Sequence, residues 1–90
     1  MNRNIITLVG KDNIGIIAKV CTYLSENRIN ILDITQTTVQ EFINMMMIVD
    51  AELCKKDFSV MADEITEIGK AMGCMISVQR EDIFNMMHRV

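Results

Sequence analysis

Apolar residues along this chain alternate, then recur every three or four positions, then alternate again, and the switches outline its elements. Residues 3–9 read as a first strand. Ile6 and Leu8 point to one side and Ile5 and Val9 to the other, with Thr7 between them. That is the mark of a central strand covered at least partly on both faces. From Ile16 to Leu24 the period is helical. Ile14, Ile17, Ala18, Cys21 and Leu24 form an apolar stripe with Val20 beside it, while Lys19, Thr22, Ser25 and Glu26 fall on or beside the opposite face. Asn27-Arg28 ends the helix. Ile29 to Val39 has the Ile, Thr and Val content of a strand, and its alternation fails near Leu32-Asp33-Ile34, which predicts a bulge. A short polar break, Gln40-Glu41, leads into a strand over Phe42 to Val49. Its odd face (Ile43, Met45, Met47, Val49) is wholly apolar. Its even face (Phe42, Asn44, Met46, Ile48, then Asp50) is too apolar to leave bare in water.

Asp50 to Lys56 is a polar connection, and Asp57 is placed to cap a second helix. Phe58, Met61, Ile65, Ile68 and Met72 then follow at helical spacing, joined by Ala62 and Gly69, and Gly73 is the expected stop. Met75 to Gln79 forms a short last strand with Ile76 and Val78 inward. In the tail, 81–90, Ile83, Phe84, Met87 and Val90 lie at helical spacing, but so short a helix needs a surface to dock on. The order β-α-β-β-α-β, with two crossovers of suitable length, predicts an α+β, ferredoxin-like βαββαβ sandwich. Its four-stranded antiparallel sheet has the first and third strands at its centre, two helices on one face and a short C-terminal helix. The expectation is one domain over 1–90, with its core at about 3–80.

Composition narrows the function. Half of the ninety residues are apolar, enough for one modest core, and small size favours a homo-oligomer. The net charge is −3 and the nine Lys and Arg residues are scattered, which argues against nucleic acid. No stretch approaches the ~20 apolar residues that span a bilayer. No signal peptide is evident, and Cys21, Cys54 and Cys74 have no paired short spacing, so the expectation is a cytoplasmic protein with three free thiols acting as small buried hydrophobes. Nine methionines, including Met45-Met46-Met47, read as core packing, with Met46 on the other face as part of an adaptable surface.

One stretch invites a ligand. Gly10-Lys11-Asp12-Asn13-Ile14-Gly15 joins the first strand to the first helix, where unpaired N–H groups favour an anion such as a small metabolite's carboxylate. Asp12 or Asn13 is the expected N-cap. The first glycine is expected to permit the turn and the second a close backbone approach. The spacing matches half of a phosphate loop, yet Ile16-Ile17 follows in place of Lys and Ser or Thr, which excludes a nucleotide. His88, the only histidine, has no cysteine at ligand spacing, and Asp63, Glu64 and Glu67 read as a charged helix face. Phe42 is the only aromatic within the strands, too few to stack bases. No catalytic residue, metal or cofactor is expected.

The segment Ile6 to Val20 and the later Asn30-Ile31-Leu32-Asp33-Ile34 resemble an ACT domain. The Met-rich third strand and the tail Ile83 to Val90 are similar to those of small bacterial ACT proteins akin to the N-terminal half of glycine-cleavage-system regulators. The resemblance implies a non-enzymatic regulatory module that binds an amino acid at a protomer interface, near Asp12, Asn13, Ile14, Gly15, Asn30 and Ile31. In that reading the helix start takes the ligand's carboxylate, Asp12 meets its ammonium, and Asn30 offers donor and acceptor. Ile14 stands where the family commonly has proline, which leaves the loop less preorganised. The alternative is a constitutive protein–protein interaction module whose loop is only a tight turn. Candidate interfaces are Phe42, Met46 and Ile48 on the open face, an edge strand, and Phe84 and Met87 in the tail.

Overall fold

The computed structural model describes residues 2–11 and 15–82. Its elements follow the expected order: β1 (Arg3–Lys11), α1 (Ile16–Glu26), β2 (Asn30–Val39), β3 (Phe42–Asp50), α2 (Phe58–Ala71) and β4 (Cys74–Arg80). The strands form one antiparallel sheet in the order β2-β3-β1-β4, and both helices lie on one face. The tail from Ile83 on lies outside the described residues, and with it Phe84, Met87 and His88; no C-terminal helix is among the described elements.

The core lies between the helices and the helix-facing side of β1, β3 and β4. Ile43, Met45, Met47 and Val49 are all buried there, as β3's odd face requires, and Ile6, Leu8, Cys74 and Ile76 join them. From α1 come Ile16, Val20 and Leu24, from α2 Met61 and Ile65. The α1 stripe is therefore turned from the one expected. Residues at i, i+4 and i+8 from Ile16 carry it, Ile17 and Cys21 flank it, and Ala18 is exposed. The cause is the register of the helix start: the turn at Gly15 makes Ile16 the first helical residue and aims it at the sheet.

The expected bulge in β2 is present as a register shift between Ile31 and Asp33. Gln40 turns the β2–β3 hairpin with φ 56. Gly73 follows the α2 cap with φ 74, the left-handed conformation that glycine adopts without strain. Of the cysteines only Cys74 is buried; Cys21 and Cys54 are half-buried. One polar side chain among the described residues is fully buried: Asn4, on the helix-facing side of β1, whose amide nitrogen and oxygen both lack a hydrogen-bond partner. No helix among the described residues is long and apolar enough to cross a membrane.

Candidate functional site

β1 does not stop at Val9. Gly10 and Lys11 continue the ladder, Gly10 opposite both Ile43 and Cys74 and Lys11 opposite Phe42. The two glycines exchange the roles expected of them. Gly10 is the close-approach position: a Cβ there would meet the Cys74 Sγ at 2.8 Å and its Cα at 3.0 Å. Gly15 is the turn position, with φ 104, and the nearest atom to a Cβ there is the Met72 Cε at an ordinary 3.8 Å. Gly15 is also the N-cap of α1, with no side-chain cap bond, so neither Asp12 nor Asn13 fills that place. Its carbonyl accepts from the Lys19 N–H at 2.8 Å. Asp12, Asn13 and Ile14 themselves lie outside the described residues. At the base of the loop Lys11 pairs with Glu41 at 3.7 Å, an exposed contact that links β1 to the hairpin turn and contributes little stability.

Asn30 and Ile31 stand elsewhere. Asn30 opens β2 opposite Asp50, whereas Gly10 is opposite Ile43, seven residues back along β3 (43 to 50). At ~3.4 Å per residue Gly10 and Asn30 are about 24 Å apart along the strand direction. Within one chain the sheet separates them. Asn30 instead lines a groove of about 480 Å³ with Arg28, Ile29, Asp50, Glu52 and Leu53. Asp50 helps to shape it, its Oδ1 accepting from the Asn2 N–H at 3.1 Å and the Glu52 N–H at 3.0 Å.

Every residue of β2 is exposed, although the strand carries Ile31, Leu32, Ile34 and Val39. On the open face of the sheet Phe42 is 56% and Met46 38% exposed, while Ile48 is only partly so. Val9, Val39 and Met75 extend that apolar surface toward the hairpin end.

A cluster between the helices carries the resolved shifts in acidity. The Tyr23 hydroxyl donates to the Glu64 Oε1 at 2.6 Å, and the Lys56 Nζ donates to the same oxygen at 2.6 Å while lying 5.3 Å from the Tyr23 ring centre. The Lys56 and Tyr23 hydrogen bonds hold the Glu64 carboxyl below its usual value of 4.5. Desolvation, then Glu64, pushes the Tyr23 hydroxyl above its usual 10.0. The arrangement ties α1, α2 and the connection before α2 together. No spacing rule in the sequence links Tyr23 to Glu64, which are 41 residues apart. Among the described residues no group of three or more His, Cys, Asp or Glu side chains is arranged to hold a metal.

This geometry has known counterparts. Residues 3–79 match the model of an ACT domain family. A UPF0237 protein of Bifidobacterium longum is 51% identical over the full length of both chains. The structure of an ACT domain protein from Streptococcus pneumoniae superposes with a TM-score of 0.79 at 37% identity, covering 92% of this chain and 93% of that one. A protein assigned as a glycine cleavage system transcriptional repressor shares the fold, with a TM-score of 0.74 at 18% identity over 88% of this chain and 45% of that one. The chain belongs to the ACT domain family, and within it to the UPF0237 group.

Proposed function

We propose that this chain is a non-enzymatic regulatory module that senses an amino acid at the interface between two copies. The observation that supports the reading is that Gly10, just before the loop, and Asn30 lie at opposite ends of a sheet whose β2 edge is bare. A twofold axis normal to the sheet, passing near Gln36, would run β2 antiparallel to β2 of a second copy. It would set Thr35 against Thr37 and Ile34 against Thr38, pairs that share a face. The beginning of β2 in one copy, with Asn30 and Ile31, would then adjoin the hairpin end of the other, where the loop between Lys11 and Gly15 emerges. The edge suits this use. From Ile34 to Val39 it has neither charge nor proline, the usual devices that block edge pairing. In the composite site the α1 start takes the carboxylate, Asp12 the ammonium, and Asn30 and Ile31 of the second copy close it, with Asn13, Ile14 and Gly15 shaping the loop. Binding would regulate by favouring the paired state.

Mixing variants tests the composite site. Asp12→Ala and Asn30→Ala each abolish binding in calorimetry with a panel of amino acids. Mixed and re-equilibrated, they recover about a quarter of the sites, because each mixed pair keeps one intact site. Failure of the mixture to recover any, with both variants folded and dimeric, would sink the shared-site reading.

The exposed Phe42 and Met46 favour a second reading, a constitutive interaction module that buries the open face, Ile48 included. Phe42→Glu and Met46→Glu disrupt assembly under that reading and leave it intact under the first, as sedimentation would report.

A further inference from the structure

The face of the sheet away from the helices is not evenly open. Ile5, Thr7 and Val9 of β1 stand on it, with Ile48 of β3 and Gln79 of β4 on either side of Ile5. Exposure falls in step along all three strands toward the end remote from the hairpin. In β1 it drops from 49% at Val9 through a half-buried Thr7 to 4% at Ile5. In β3 Phe42 and Met46 are exposed and Ile48 is half-buried; in β4 Met75 is exposed and Gln79 half-buried. Ile5 takes no part in the core beneath the helices, and no described helix or strand lies over it.

A side chain buried in a single copy is covered by that copy. The path of the chain points to the cover. β4 ends at Arg80, one residue past Gln79, and the next residue, Glu81, pairs with Arg3 at 3.6 Å. Arg3 is two residues from Ile5 and shares its face of β1. On leaving β4 the chain thus turns back over the sheet, toward Ile5. The other candidates are badly placed. Lys11 is at the hairpin end, opposite Phe42. The start of the chain is held at the end of β3, where Asn2 bonds to Asp50 and Ala51.

We infer that the chain's own residues 83–90 dock on this corner of the open face, with Ile83, Phe84 and Met87 against Ile5 and Ile48. The reach suffices. Ile48 is two strand spacings from β4, about 10 Å, and eight residues rise ~12 Å even when helical. The chemistry matches as well: a short apolar stripe that cannot hold its shape alone meets an apolar corner that is already dry. The tail thereby divides the open face. Its far end is closed by the chain itself, and only the hairpin end, with Val9, Val39, Phe42 and Met75, stays free for a partner.

NMR on the full chain, dilute enough to be monomeric in sedimentation, tests this. Nuclear Overhauser contacts run from the Phe84 ring to the methyl groups of Ile5 and Ile48. A soluble paramagnetic probe relaxes the Ile5 methyls several-fold less than those of Val9. Phe84→Glu removes that protection, leaves Val9 unchanged and lowers Tm by roughly 5 °C. Phe42→Glu, at the hairpin end, leaves the protection of Ile5 intact. Ile5 relaxed as strongly as Val9 in the unmodified chain, protection unchanged in Phe84→Glu, or Phe84 contacts to Val9 and Phe42 instead would each overturn the inference. So would contacts seen only between labelled and unlabelled copies, which make the cover a second chain's tail.

Discussion

β2 and β3 are neighbours in one hairpin, ten and nine residues long, and the sheet treats them oppositely. β3 alternates: Ile43, Met45, Met47 and Val49 are sealed under the helices, while Phe42, Asn44 and Met46 are exposed. β2 has apolar residues on both of its sides and buries none of them. The difference lies in position. β3 pairs on both sides and lies beneath the helical layer, whereas β2 pairs on one side only and the helices leave its length bare. A strand that is exposed by position yet rich in Ile, Leu, Thr and Val is an apolar edge that the chain itself leaves uncovered.

The comparison has measurable edges. The largest effect falls in β3: Met47→Ala empties a fully buried site and costs about 2–5 kcal/mol, read as a lower urea midpoint. Gly10→Ala, on the strand that flanks β3, pushes a methyl group against Cys74 and costs about 1–3 kcal/mol by the same measurement. Asn4→Leu moves the other way. It removes two buried, unpaired polar atoms at nearly constant volume and gains about 1–2 kcal/mol. Ile34→Ala in β2, at a residue 46% exposed, costs less than about 1 kcal/mol in dilute protein but weakens self-association in sedimentation. If Ile34→Ala proved as costly as Met47→Ala at concentrations where the chain is monomeric, the contrast between the strands would be wrong.

The smallest effect is in pH dependence. Glu64 has a lowered native pKa, so its contribution is present above the usual 4.5 and is lost as pH falls through the native value. Tyr23 has a raised one, so its contribution is present below 10.0 and is lost as pH rises beyond that. Glu64→Gln flattens the acid limb of a stability-against-pH curve, and Tyr23→Phe the alkaline limb.

What the sequence made legible follows from what periodicity encodes. The order of elements, the odd face of β3, the bulge after Ile31 and the stop at Gly73 all come from local pattern, and all are present. The rotation of α1 was not legible, because Ile14, Ile16, Ile17 and Ala18 offer competing stripes until the turn at Gly15 sets the helix phase. The swap of glycine roles was hidden for a different reason. Gly10 is required by Cys74, a residue 64 positions away that only the β1–β4 register brings opposite it. The same holds for Tyr23 and Glu64. For the candidate site, residue types suggested both halves, but the distance between them is a property of strand direction. Only the assembled sheet shows that Gly10 and Asn30 lie at opposite ends of one copy.

The fit of Cys74 against Gly10 has one more consequence. Cys21 and Cys54 are half-buried, whereas the Cys74 sulfur fills the space that Gly10 leaves. A thiol reagent meets two accessible targets and one that opens only when the β1–β4 ladder parts. The chain thus carries its own clock: the slow phase of its labelling reports the opening free energy of that ladder, with no residue changed.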